Sequence, residues 1–144
     1  EQMIMDAVDR AFDWEEFSRR ALGRHWGKRT DTEKKEFISL FKELIKRTYM
    51  DKSGQYSGGR VEFLEEVTDE KYGEVKTQLV SSSGTQTPVD YRLMKKDGIW
   101  WVYDVYIEGV SLVSNYRSQF NDILIKSPFD ELIKRLKEKI EKGT

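Results

Sequence analysis

Trp100–Phe120, WWVYDVYIEGVSLVSNYRSQF, decides the fold. Trp100 to Ile107 is a run of aromatic and β-branched residues, the composition of a strand. It breaks at Glu108-Gly109. Apolar residues then recur at Leu112, Val113, Tyr116, Phe120, Ile123 and Leu124, which is helical spacing. The stretch is therefore a strand, a sharp turn and a helix. Trp101, Tyr103, Val105 and Ile107 alternate onto one strand face, with Trp100, Val102 and Tyr106 on the other. A strand apolar on both sides belongs near the centre of a sheet or beside a second layer. Which set points inward stays open at this point.

Upstream, three further strands precede it. Val61, Phe63 and Val67 share a face in the first, Val75, Thr77 and Leu79 in the second, and Val89, Tyr91 and Leu93 in the third. Ser81-Ser82-Ser83-Gly84 is a polar turn, and Asp97-Gly98 is a strong hairpin signal. Short connections imply antiparallel pairing, because parallel strands need long crossovers. Helical pattern fills the remainder. Ile4, Val8, Ala11 and Phe12 form one apolar face. Asp13 with Glu16 reads as a capping box ahead of Trp14, Phe17, Ala21 and Leu22. Thr30 with Glu33 reads as another, opening a helix from Asp31 to about Met50. There Phe37, Phe41, Leu44 and Thr48 make one apolar column, and Ile38, Ile45 and Tyr49 the next. Asp51-Lys52-Ser53-Gly54 ends that helix, and Gly58-Gly59 marks the change to strand period. Ser127 caps a last helix, with Pro128 in its first turn and Leu132, Ile133, Leu136 and Ile140 on its apolar side. The expected class is α+β: one domain over 1–144, helical over 1–52, a four-stranded antiparallel meander over 60–108, and helices over 110–142.

Composition narrows the function classes. In 144 residues, 25 basic and 26 acidic side chains nearly cancel and are interspersed. A duplex-binding face needs a basic excess, so nucleic acid is not the expected partner. No apolar run approaches the roughly 18 residues of a membrane-spanning helix. With no cysteine, thiol nucleophiles, thiolate metal sites and disulfides are excluded. One histidine and scattered carboxylates offer no metal set, so no cofactor is expected. Gly54, Gly58 and Gly59 precede a strand, which is the wrong geometry for a phosphate cradle. Ser111 lacks the flanking glycines of a nucleophile elbow and suits the strand–helix junction. The only acid–base pair to weigh is His25 with Asp104. The 18 aromatic residues are the remaining resource, either as a solid core or as the lining of an apolar cleft.

The order Tyr103-Asp104-Val105, Glu108-Gly109-Val110-Ser111-Leu112-Val113, Asn115-Tyr116-Arg117-Ser118-Gln119-Phe120 closely resembles the MlaC family of periplasmic phospholipid-binding, toluene-tolerance proteins. Ala21-Leu22-Gly23-Arg24-His25-Trp26 and Phe37-Ile38-Ser39-Leu40-Phe41-Lys42-Glu43-Leu44 resemble that family's first half. The resemblance implies a nuclear transport factor 2-like fold with extra helices, its curved sheet covered by amphipathic helices. It implies a non-enzymatic carrier that holds acyl chains of a phospholipid in an apolar cleft. The implied partners are an outer-membrane lipoprotein complex and an inner-membrane ABC transporter with an MCE-domain subunit, in the periplasm. Family members carry a longer helical lead and a signal sequence ahead of the point where this chain starts. With inward phase as the guide, the expected lipid-binding set is Phe37, Phe41, Leu44, Ile45, Tyr49, Phe63, Val75, Leu79, Tyr91, Trp101, Tyr103, Val105, Val110, Leu112, Val113, Tyr116 and Phe120. Trp100, Val102 and Tyr106 substitute if the fourth strand faces the other way. Two alternatives stand beside the carrier: a small enzyme of the same fold using His25 and Asp104, and a ligand-free interaction domain.

Overall fold

The computed structural model describes residues 10–50 and 59–142, with the Met50 side chain left out. The expected apolar helix face at Ile4 and Val8 and the expected helix end at Asp51–Gly54 lie outside the described residues. The chain divides into two compact units, each assembled from two stretches of sequence. One is Glu1–Asp13 with Gly58–Val113, the other Trp14–Ser57 with Ser114–Thr144.

The first unit is a sheet of order β1-β2-β3-β4-β5, antiparallel throughout. Its strands are β1 (Arg60–Thr68), β2 (Tyr72–Val80), β3 (Gln86–Lys96), β4 (Ile99–Ile107) and β5 (Val110–Ser111). Five strands replace the expected four, and the reason is local. Glu108 and Gly109 both have positive φ, 52° and 81°, just as Asp97 and Gly98 do at 52° and 80°. Two consecutive left-handed residues make the tight hairpin turn that matches strand twist. The chain therefore folds back on β4, pairing Val110 with Ile107 and Ser111 with Tyr106, before its helix begins.

Two bulges re-phase the sheet. Phe63 pairs with Thr77 and Glu65 with Lys76, so Leu64 is an extra residue in β1. Arg92 pairs with Asp104 and Leu93 with Val102, so Tyr103 is an extra residue in β4. A bulge advances one strand against its partner and reverses the alternation beyond it. As a result Val67 leaves the face of Val61 and Phe63, correcting the sequence expectation. Likewise Trp101 and Tyr103 leave the face of Val105 and Ile107, and Trp100 and Val102 take their place. Phe12 bridges to Val102, and the Asp13 N–H donates to the Val102 carbonyl at 2.9 Å, extending order beyond β4.

The second unit is helical: α1 (Trp14–Leu22), a 3-10 turn (Gly23–Lys28), α2 (Asp31–Ile45), a π turn (Lys46–Met50), α3 (Leu112–Leu124, entered from β5) and α4 (Phe129–Glu141). The Thr30–Glu33 capping box forms as expected: Thr30 Oγ1 accepts from the Glu33 N–H, and Glu33 Oε1 from the Thr30 N–H. α2 is shorter than expected, because the last five residues before Asp51 widen into the π turn. α4 starts at Phe129 with Pro128, extended at ψ 165°, in the capping position expected for Ser127. Its core is aromatic. The Phe41 ring lies 5.3 Å from Phe17, 5.4 Å from Phe37 and Phe120, and 5.2 Å from Tyr116. Phe17, Phe37 and Phe41 have no exposed surface.

Candidate functional site

Strand register assigns every sheet residue to a face. Val61, Phe63, Val75, Thr77, Leu79, Val89, Tyr91, Leu93, Trp100, Val102, Val105, Ile107 and Val110 share one side. The other carries Glu62, Glu74, Lys76, Gln78, Asp90, Arg92, Met94, Trp101, Tyr103, Asp104 and Tyr106. The division is mainly one of polarity, broken by Glu66 and Lys95 on the first side and by Val67 and Val80 on the second. On the polar side Arg92 Nε donates to Glu74 Oε2 at 3.2 Å, and its guanidinium sits 4.4 Å from the Tyr106 ring centre. On the apolar side a single cross-strand row runs through all five strands, from Phe63 through Thr77, Val89 and Ile107 to Val110. Its ends are exposed, Phe63 by 64% and Val110 by 56%, while Thr77 and Val89 are buried and Ile107 half-buried. The buried Thr77 hydroxyl satisfies itself by donating to the Val89 carbonyl at 2.6 Å. Burial also pushes the Tyr91 phenol above its usual titration range.

Of the expected set, Phe63, Val75, Leu79, Tyr91, Val105 and Val110 therefore meet on one apolar face. Trp101 and Tyr103 do not. Tyr103 instead sits edge-on to Tyr72 across the polar side, ring centres 6.4 Å apart. Of the substitutes offered for the opposite orientation of β4, Trp100 and Val102 lie on this face and Tyr106 does not. Their strand alternated cleanly in sequence; the bulge that reassigns them exists only in the pairing.

In the helical unit, Phe37, Phe41, Tyr116 and Phe120 meet in the aromatic core, with Leu44 and Ile45 buried. Tyr49, on the π turn, is hydrogen-bonded to Tyr116. Burial first, and Tyr49 second, push the Tyr116 phenol far above its usual range. Leu44, Tyr116 and Phe120 also line a half-open groove of about 300 Å³ with Ile123, Leu132 and Leu136. Its polar lining is Gln119, Arg135, Glu138, Lys139 and Lys142. Ile123, Leu132 and Leu136 were legible as helix-face residues but gave no sign of lining anything.

Leu112 and Val113 are buried where β5 passes into α3. The junction is built on Asp104. Its Oδ1 accepts from the Val105 N–H at 2.7 Å and the Val113 N–H at 3.1 Å, and its Oδ2 from Ser111 Oγ at 2.5 Å. A carboxylate on the first amides of a helix meets both unpaired donors and the positive end of the helix dipole. The conspicuous Asp104 and Ser111 of the sequence are thus a structural clasp. His25, the other half of the acid–base pair, has a different partner. Asn121 Oδ1 accepts from Arg24 Nη2 at 3.1 Å and lies 2.8 Å from His25 Nε2, so Nε2 holds the proton and donates. Each residue is engaged within its own unit. Among the described residues there is no group of three potential metal ligands, and no helix is long and apolar enough to cross a membrane.

A family model described as MlaC protein matches residues 1–138. The chain belongs to the MlaC family. A curated relative, the intermembrane phospholipid transport system binding protein MlaC of Haemophilus influenzae, is 25% identical over 124 residues, covering 83% of this chain. The chain spans 58% of that relative's length. Among solved structures, a phospholipid-binding protein from Ralstonia solanacearum, determined in complex with a phospholipid, is similar with a TM-score of 0.82. It shares 23% identity, and the match covers 99% of this chain and 84% of that one. At that identity the likeness shows the fold, the nuclear transport factor 2-like α+β fold of MlaC proteins.

Proposed function

We propose that this MlaC-family chain is a non-enzymatic phospholipid carrier of the periplasm, moving lipid between an outer-membrane lipoprotein complex and an inner-membrane ABC transporter with an MCE-domain subunit. The observation that carries the reading is the apolar face of the sheet, a continuous hydrocarbon-compatible surface crossing five strands with its end residues exposed. Membership of the family and the names of its relatives support it. Acyl chains pack against Val75, Leu79, Tyr91, Trp100, Val102 and Val105. Leu44, Tyr116 and Phe120 are the corresponding candidates in the helical unit. Tyr103 and Trp101 fall outside the lipid surface.

The chemistry asked of the protein is desolvation. Each buried methylene gains about 0.8 kcal/mol, so two chains represent on the order of 20 kcal/mol before costs. A cargo held that firmly leaves into water very slowly, which is why docking partners belong to the proposal. The bulge in β4 supplies the test, because it decides which of two adjacent half-buried tryptophans faces the apolar side. Mass spectrometry of an organic extract of the purified protein should find phospholipid. Trp100→Glu should lose that lipid and Trp101→Glu retain it, with circular dichroism unchanged in both. Equal lipid content in the two variants would remove the apolar face from the site; an extract without lipid would end the carrier reading.

A further inference from the structure

We infer that the outer edge of β1 is a docking edge for an extended, basic segment of a partner protein, which adds as a sixth strand. Among the described residues β2 is the one strand paired with β1, so β1 presents a row of backbone donors and acceptors along its other side. Such an edge is a template for strand addition. The side chains along it are unusual. Seven large hydrophobic residues are exposed among those described, and four fall on this one hairpin: Phe63, Leu64 and Val67 of β1 and Tyr72 of β2. Protection of an edge calls for charge and a bulge, both present here, but leaves exposed aromatic and aliphatic residues unexplained.

Charge says what the edge accepts. Glu62, Glu65, Glu66, Asp69 and Glu70 lie on β1 and its turn, against Arg60 and Lys71. Arg60 is tied to Glu62 at 3.0 Å, and Asp69 is turned inward to the Lys71 and Tyr72 N–H groups at 2.8 and 2.7 Å. Glu65 and Glu66 are exposed. A second copy of the chain fits poorly. Antiparallel self-pairing centred on Glu65 and parallel self-pairing in register would each set Glu65 against Glu65, a like-charge contact. A segment alternating lysine or arginine with aliphatic residues satisfies both faces of the edge.

A nine-residue peptide alternating lysine and valine is the probe, titrated into the full chain and followed by backbone amide NMR. Shifts should concentrate on Glu62–Thr68. A glutamate–valine counterpart should leave them unmoved, and a copy with proline at alternate valines should lose binding at least tenfold. Glu62→Lys with Glu65→Lys, both on the polar side of the sheet, should weaken the lysine peptide at least tenfold and leave extracted phospholipid unchanged, which separates this edge from the carrier reading. The inference is overturned if β1 amides ignore the lysine peptide, if the proline copy binds equally well, or if the chain forms a dimer that protects those amides.

Discussion

The sheet and helical units spend their aromatic and aliphatic residues in opposite ways. In the helical unit Phe17, Phe37, Phe41, Tyr116 and Phe120 crowd within contact of one another, and three of them have no exposed surface. In the sheet unit the apolar row is buried only in its middle and surfaces at Phe63 and Val110. What differs is whether the side chains satisfy one another. A self-satisfied cluster supplies stability, whereas a graded face keeps apolar surface in reserve for something else.

That contrast makes its largest prediction at Phe41. Phe41→Ala removes the ring that touches four others and should cost about 3–5 kcal/mol in denaturant unfolding. Phe63→Ala, the same change on the exposed end of the sheet row, should fall within about 0.5 kcal/mol of the parent. Similar losses at both sites would erase the distinction. Next in size is the clasp at the strand–helix junction. Asp104→Asn keeps the shape but trades a two-oxygen acceptor for one oxygen and an amide donor. About 1–3 kcal/mol should be lost, with faster hydrogen exchange at the Val113 amide. An unchanged Val113 amide would mean that Asp104 does not hold the first turn of α3.

Much of this is legible in the residues themselves. The Thr30–Glu33 box, the Asp97-Gly98 hairpin and the phases of β2 and β3 follow from residue chemistry that acts within a few positions along the chain. The misreadings share one cause. Tyr103 and Leu64 look like ordinary members of alternating strands, because a bulge is a property of two strands together and leaves no mark on either alone. Glu108-Gly109 was legible as a break; that it would bend into a second left-handed hairpin depended on Ile107 and Tyr106 having free edges for β5. The aromatic core and the sheet face could not be told apart for a similar reason. Periodicity says which residues turn inward but not whether they meet each other there.

Two smaller effects sharpen the helical side of the comparison. Thr30→Ala should cost about 1 kcal/mol by opening the capping box of α2, read from the urea midpoint. Glu16 is subtler. The hydrogen bond from Arg19, and then that from Arg20, hold its carboxyl below the usual range against the opposing cost of burial. A depressed folded-state value means the stabilisation is complete above the unfolded value of about 4.3 and fades as pH falls through the folded one. Glu16→Gln should therefore lose a few tenths of a kcal/mol at neutral pH and nothing at strongly acid pH. A pH-independent difference would show that the ion pair contributes no charge-dependent stability.

The bulge at Tyr103 makes part of this molecule sensitive to a kind of change that conservative substitution never probes. Drawing that single residue into the ladder opposite Leu93 would restore strict alternation and rotate everything from Ile99 to Val102 half a turn, putting Trp101 and Tyr103 where Trp100 and Val102 now stand. No side chain would have been altered, yet the surface offered to hydrocarbon would be made by different ones. Register, at this one position, is as much a determinant of what the sheet can hold as the identity of any residue on it.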